Sequence, residues 1–246
     1  VGADSPGTWA VATNPTHGTV TVGTNGSYNY TPTAGYVGSD SFTYTLTDKD
    51  GDVVTATANI TVSSAGNPTI SITDNNGATA GQVTVSEAGL AAGTLHDGSN
   101  SANGTMTVTA PNGLSSIDFG ATNVTLAQLN NLASTPVTIA TADGSVKLTG
   151  YNSSTGVISY TYSISAPQTA AGPSVTDSLS VTVRDASSQT VSTTLTASIT
   201  NDAPVATNDT ITTTTGQAVT GSLAGNDTVG ADSPGTWAVA TNPTHG

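Results

Sequence analysis

Cysteine is absent from all 246 residues, so neither disulfides nor thiolate metal sites staple this chain. Positive charge is almost as scarce: three basic side chains, Lys49, Lys147 and Arg184, face sixteen acids, for a formal net charge of −13. Nucleic acid and anionic membrane surfaces are both bound through clustered Lys and Arg, so this balance excludes them as partners. No run approaches the ~18 apolar residues of a membrane span and no secretion signal is visible, so no membrane insertion is expected. A stretch from the middle of a longer array would show neither. Aromatics make up 4% of the chain and hydrophobic residues 35%, with Thr, Ser, Gly, Asn and Ala supplying most of the rest. That is lean for one large core. It suits half-buried strands stacked as several small all-β domains, and it argues against a single large enzyme fold.

What is present is a repeat. The eighteen residues Val1 to Gly18 return letter for letter as Val229 to Gly246, with Trp9 and Trp237 in the same place. Equivalent positions are therefore 228 residues apart, and the chain reads as one period of a tandem array plus an overlap.

Strand signals run from end to end. Thr19–Gly23 and Ser27–Thr31 flank Asn25-Gly26, which predicts a hairpin turn because both residues tolerate positive φ. Phe42-Thr-Tyr44-Thr-Leu46 alternates with period two, placing two aromatics and a leucine on one face. The acidic turn Asp48-Lys-Asp50-Gly51-Asp52 leads into a returning strand through Val54, Ala56, Ala58, Ile60 and Val62. Ser63 to Pro68 is a composition break and the first boundary. Beyond it lie Thr69–Thr73, a turn at Asp74-Asn-Asn-Gly77, Val83-Thr-Val85 and a strand around Val108. A single brief helix is expected, with Thr125 and Gln128 as a capping box, a stripe of Leu126, Leu129 and Leu132, and an end before Pro136. Strands resume at Val137–Thr141, Val146–Thr149 and Ile158–Ile164, where Tyr160 and Tyr162 read as core aromatics. Leu179–Val183 and Leu195–Ile199 complete this domain. Asn201-Asp-Ala-Pro204 is the second boundary. The division is thus 1–66, 67–200 and 201–246, with 201–228 joined to 1–66 across the repeat as one domain.

An internal likeness ties the domains together. Asp40-Ser-Phe-Thr-Tyr-Thr-Leu-Thr-Asp48 and Asp177-Ser-Leu-Ser-Val-Thr-Val-Arg-Asp185 both read Asp-Ser, three apolar residues at period two, then Asp. At ~3.3 Å per residue the paired aspartates stand about 26 Å apart, so they serve opposite ends of a domain.

Fifteen of the sixteen acids are Asp, and only Glu87 is long. Short carboxylates in turns suit an oxygen-only cation site, which makes Ca²⁺ the natural partner; unpaired surface acids would equally keep a long repeat soluble. Asp48, Asp50 and Asp52 crowd one small turn, where a cation would relieve their repulsion or solvent would do so. Asn201 and Asp202 beside Pro204, with Asp209, form the second candidate, placed where an ion would fix an interdomain angle; a plain capped turn is the alternative. Asp40, Asp177 and Asp185 complete the candidate metal set. Catalysis finds little support. His17, its copy His245 and His96 lie in turns or loops, no Gly-x-Ser-x-Gly elbow occurs, and no enzyme activity is expected.

Residues 201–228 joined to 1–66 carry Asn-Asp-Ala-Pro-Val, Gly225-Asn-Asp227, Pro15-Thr-His-Gly-Thr-Val, Tyr28-Asn-Tyr-Thr-Pro32, Gly38-Ser-Asp-Ser-Phe-Thr-Tyr and Asp48-Lys-Asp-Gly-Asp. In these they resemble the cadherin-like bacterial Ig repeats of giant surface adhesins. Residues 67–200, with Val85-Ser-Glu-Ala-Gly-Leu90, Leu126-Ala-Gln-Leu129, Leu148-Thr-Gly-Tyr-Asn152, Gly156-Val-Ile-Ser-Tyr-Thr-Tyr162 and Val175-Thr-Asp-Ser-Leu179, resemble the larger repeat of type I secreted RTX adhesins. The resemblance implies tandem Ig-like or cadherin-like β-sandwiches with Ca²⁺ at or near the junctions. It also implies an extracellular spacer on a bacterial surface or in a biofilm matrix, exported by a type I system. Two departures matter. After Asp185 the turn reads Ala186-Ser-Ser-Gln189 and should hold an ion weakly or not at all. The first linker, Ala65-Gly-Asn-Pro68, lacks the aspartate of Asn201-Asp202, so the two junctions should differ in ion content and stiffness.

Three functions follow as expectations. The first is a structural extender whose partners are neighbouring repeats of the same chain or of identical chains. The second is a matrix or sheath fibre whose split domain is completed between molecules. The third is a carbohydrate-binding module, for which Tyr36, Tyr151 and Trp9 would supply an exposed platform; surface glycans could otherwise be met through other regions.

Overall fold

The computed structural model describes residues 7–74, 76, 81–169 and 172–244. Of the turn expected over Asp74–Gly77, Asn75 and Gly77 lie outside the described residues, as do residues 1–6 and 245–246 of the repeated stretch, His245 among them. The fold is all-β, as alternation and β-branched content dictate, with two helical turns in the larger sandwich.

The first unit has five strands: β1 (Thr8–Thr13), β2 (Gly18–Val22), β3 (Tyr28–Pro32), β4 (Gly38–Thr47) and β5 (Val53–Val62). β1, β4 and β5 form an antiparallel sheet, while among the described residues β2 and β3 pair only with each other. The β4–β5 ladder runs without a shift from Gly38↔Val62 to Thr47↔Val53, closed by the Asp48–Asp52 turn. The Asn25-Gly26 turn is longer than its dipeptide suggests. Only Gly26 has positive φ, at 83°, and Gly23 N–H donates to the Ser27 carbonyl at 2.7 Å. The reason is local: the Asn25 carboxamide oxygen accepts from Ser27 N–H and Oγ at 3.1 and 2.7 Å, an Asx turn that spares Asn25 the left-handed region. Of the expected core face, Phe42 is 4% exposed, whereas Tyr44 and Leu46 are only half-buried.

The second unit is a sandwich of two five-stranded sheets. Its strands are β6 (Thr69–Asp74), β7 (Gln82–Ser86), β8 (Ser101–Thr109), β9 (Leu114–Phe119), β10 (Thr122–Thr125), β11 (Val137–Ala140), β12 (Ser145–Asn152), β13 (Val157–Ser163), β14 (Ser174–Asp185) and β15 (Thr190–Thr200). The sheets run β10-β9-β14-β15-β7 and β11-β12-β13-β8-β6. Alternation along β14 and β13 buries Leu179, Val181 and Val183 from one sheet against Ile158, Tyr160 and Tyr162 from the other. The helix α1 (Leu126–Leu129) is a single turn with both arms of its capping box: Gln128 N–H donates to Thr125 Oγ1, and Thr125 N–H to Gln128 Oε1. Leu129 and Leu132 close the core beneath it. A 3-10 turn over Glu87–Gly89 is the other helical piece. Strand β9 escaped the period-two reading because Ser116 and Ile117 are both buried although adjacent in sequence, and β10, four residues with one buried, is too short to show the period.

After Thr200 regular structure ends. Val205 and Thr228 form an isolated antiparallel bridge, and residues 203–226 between and around them are exposed throughout.

Candidate cation site

The parallel pairing of β7 with β15 decides which groups meet at the end of the sandwich. β7 runs alongside β15 with Ser86 opposite Thr200, so both strands leave the sheet at the same place. Glu87 and the Asn201-Asp202 pair emerge together although far apart in sequence. Glu87 is 1% exposed. Its Oε1 accepts from Gln168 N–H at 2.6 Å and its Oε2 from Asp202 N–H at 3.3 Å. Asp202 is buried as well, and accepts from Thr94 through both oxygens, N–H to Oδ2 at 2.9 Å and Oγ1 to Oδ1 at 2.8 Å. Asn201 is fixed by donating its N–H to the Pro173 carbonyl and its side-chain amide to the Gly172 carbonyl. Its Oδ1 is buried with no hydrogen-bond partner among the described residues.

A buried amide oxygen without a hydrogen-bond partner and buried carboxylates are among the oxygen donors a hard cation takes, six to eight in all. Glu87, Asn201 and Asp202 therefore fit Ca²⁺. Glu87 was not among the residues singled out from the sequence. Its status as the one glutamate was the available signal, but its partnership with Asp202 exists only through the parallel register. Asp209 is placed elsewhere, exposed on the loop that follows. No three His, Cys, Asp or Glu side chains converge as a metal cluster among the described residues.

Asp40 and Asp177 occupy matching positions near the starts of β4 and β14. Asp40 accepts from Tyr30 Oη at 2.8 Å, from Ser41 N–H at 2.9 Å, from His17 N–H at 3.0 Å and from both Thr16 donors. Asp177 accepts from Tyr162 Oη at 2.7 Å, Ser178 N–H at 2.8 Å and Asp143 N–H at 3.4 Å. Desolvation works to raise the Asp40 carboxyl, yet the Tyr30 hydroxyl and the Ser41, His17 and Thr16 amides together hold it down at about 2. Tyr30 is correspondingly pushed up to about 12, by desolvation and then by Asp40. Burial, followed by the Asp177 hydrogen bond and charge, pushes the Tyr162 phenol up as well.

The aspartates at the opposite strand ends head a shared turn. Asp48 N–H donates to the Asp52 carbonyl at 3.0 Å while Asp52 N–H returns to Asp48 Oδ1 at 2.9 Å. Asp185 N–H and the Gln189 carbonyl meet at 2.9 Å, and Gln189 N–H returns to Asp185 Oδ1 at 2.7 Å. The fourth residue has positive φ in each, Gly51 at 93° and Ser188 at 69°. Asp50 and Asp52 are exposed and Asp48 half-buried, with Asp48 Oδ1 also taking Asp50 N–H at 3.1 Å. Asp185 is buried, and its second oxygen takes the Asn112 side-chain amide at 2.9 Å. Burial works to raise Asp185, and the Asn112, Gln189 and Ser187 donors hold it below its ordinary value.

Asn112 also grips the first linker. Its Oδ1 accepts from Ala65 N–H at 2.8 Å and its amide donates to the Gly66 carbonyl at 2.7 Å. Gly35 of the first unit abuts Ala186 so closely that no Cβ fits there. The first junction is thus joined by an amide bridge from linker to Asp185, and at the second the Asp202 N–H donates to Glu87 while Asn201 is tied to the Pro173 and Gly172 carbonyls.

Of the three aromatics named as a possible sugar platform, Tyr36 stacks on His17 with ring centroids 4.0 Å apart. Trp9 lines a groove in the first unit, and Tyr151 lies on β12 in the sandwich. The three line different grooves.

By sequence, residues 2–61 match the model of the bacterial Ig domain. No curated protein matches the chain. Among solved structures, similarity is found to protocadherin gamma B2 extracellular cadherin domains 3–6, at 10% identity and a TM-score of 0.31, covering 81% of this chain and 42% of that one. The human desmocollin-1 ectodomain is similar at 13% identity and a TM-score of 0.29, covering 81% and 36%. This chain thus spans less than half the length of either. Likeness at this level transfers neither a ligand nor a residue role.

Proposed function

We propose that this chain is a structural repeat of an extracellular bacterial array, an extender in which length and stiffness are the function and no reaction is catalysed. The bacterial Ig match over residues 2–61, the acidic, cysteine-free composition and the exact return of residues 1–18 support it. Surface adhesion and biofilm formation, with export by a type I system, are the setting this reading implies. No helix among the described residues is long and apolar enough to cross a membrane.

The observation that carries the reading is the buried, partnerless Asn201 Oδ1 at the point where the last strand of the sandwich passes into the next repeat. Glu87, Asn201 and Asp202 would hold Ca²⁺ there, and the ion would supply charge neutralisation for two buried carboxylates. Gln168, Thr94 and the Pro173 and Gly172 carbonyls hold those ligands in place, so the linker leaves the sandwich in one direction. The first junction, bridged by Asn112, would need no ion. Asp48, Asp50 and Asp52 remain a second candidate set.

The test is a calcium titration of the full chain, read by melting temperature with and without chelator. Calcium should raise the melting temperature of the sandwich, and Glu87→Gln or Asp202→Asn should remove most of the rise. An unchanged melting temperature at millimolar calcium would sink the cation role. The same gain in the Asp202→Asn chain would move the ion to another site.

A further inference from the structure

At the first junction one side chain makes four hydrogen bonds. Asn112 sits in the turn between β8 and β9, closed by Gly113 N–H donating to the Ala110 carbonyl at 2.9 Å. Its amide nitrogen donates to the Gly66 carbonyl at 2.7 Å, to Asp185 Oδ2 at 2.9 Å and to Ser64 Oγ at 3.1 Å, and its Oδ1 takes Ala65 N–H at 2.8 Å. Linker and sandwich thus meet on the group that an Asn-Gly sequence is most prone to lose. Gly113 has no side chain to hinder its own nitrogen from closing a succinimide ring on the asparagine carboxamide carbon.

Asn25 supplies the contrast. It too precedes glycine, and Gly26 N–H is likewise engaged, by the Gly23 carbonyl at 2.9 Å. But Asn25 is exposed, and its amide oxygen is bound within its own turn, by Ser27. The dipeptide and its backbone bond are shared; the clasp on the side-chain amide is what differs.

We propose that Asn112 is a deamidation site gated by the first junction, and that its conversion releases the first unit from the sandwich irreversibly. While the junction is closed, the carboxamide is pinned between Asp185 and the linker and cannot turn onto the Gly113 nitrogen. When the linker parts from it, the carboxamide is free to turn. The Gly113 nitrogen then gives its proton to a solvent base and bonds to Asn112 Cγ; the Cγ–Nδ2 bond breaks, and the side-chain nitrogen leaves as ammonia with a proton from water. A water molecule opens the ring at either carbonyl, leaving aspartate or isoaspartate at this position. Neither product rebuilds the bridge. The donor to the Gly66 carbonyl is gone, and a new carboxylate faces that of Asp185, which is 1% exposed, so like charges repel where solvent screens them least. Isoaspartate also lengthens the main chain of the turn and displaces Gly113, whose carbonyl takes Ala186 N–H at 2.8 Å. A stiff joint becomes a hinge, once.

The experiment ages the full chain at mildly alkaline pH, in chelator, and follows amide loss at Asn25 and Asn112 by peptide-mapping mass spectrometry. In urea the two should react at similar rates. In the folded chain Asn112 should lag by about tenfold or more, the factor that about 1.4 kcal/mol of opening free energy produces. Gly35→Ala breaks the junction without touching Asn112, because a Cβ at Gly35 collides with Ala186. Whether the first unit shifts or unfolds in that variant, the linker lets go, and amide loss at Asn112 should speed up by about tenfold. In an Asn112→Asp chain, hydrogen exchange over the linker residues 63–67 should be faster by a similar factor. No lag in the folded chain, a lag that Gly35→Ala leaves in place, or linker exchange unmoved by Asn112→Asp would each overturn the proposal. None of these readouts depends on a cation at Asn201, so this test and the calcium titration fail separately.

Discussion

Asp40 and Asp177 stand in different sheets, yet each accepts a tyrosine hydroxyl and the N–H of the serine that follows it. The Asp-Ser dipeptide, visible in the sequence, is the start of this lock; the tyrosine that completes it comes from another strand and was not visible. Tyr162→Phe removes one donor from a buried carboxylate, and charged hydrogen bonds of this kind contribute about 1.5–3 kcal/mol. The sandwich should lose roughly 2 kcal/mol in urea unfolding with its strands intact by circular dichroism. Asp40 makes a statement about pH. Its folded-state value, about 2, lies below its ordinary 3.8, so its contribution is complete above pH 4 and drains away as pH falls towards 2. Followed by Trp9 fluorescence in the Trp237→Phe chain, the first unit should loosen across that window. Tyr30→Phe, which removes the strongest donor, should flatten the dependence; an unchanged acid transition would show that Tyr30 does not set it.

Among elements, the turns at Asp48–Asp52 and Asp185–Gln189 show one geometry reached from two sequences. Each needs a left-handed residue at its fourth position; Gly51 adopts it freely, whereas Ser188, with a φ of 69°, does so against steric cost. Ser188→Gly should stabilise the sandwich by up to about 1 kcal/mol, and Gly51→Ala should destabilise the first unit by about as much, both read from denaturant midpoints. Thr125→Ala would expose the other legible element, the capped helical turn, at a cost of about 1 kcal/mol. Elements set by period two or by a cap were readable because the information lies within a few residues. β9 was not, since its consecutive buried residues answer to β14 and β10 on either side.

For the molecule as a whole, the two units are unequally filled. The sandwich encloses a continuous core from Val83 to Ile199, joined by Ala231 from the tail, while the first unit has little beyond Phe42. Calorimetry should therefore show two transitions, the first unit melting well below the sandwich. A single cooperative melt would mean that the Asn112 bridge couples the units more tightly than their cores suggest. By itself the sequence determined the all-β class, the capped turn, the repeat and the opposition of aspartates at the two strand ends, because each is written in local spacing or in identity. Only the tertiary structure decided that Glu87 meets Asp202, that an amide rather than a carboxylate bridges the first junction, and that one sequence becomes a strand as residues 8–13 but not as its copy. A strand exists through its neighbour: Trp9 has β4 beside it, Trp237 has no strand beside it among the described residues, and local spacing does not reveal which edge will find a partner.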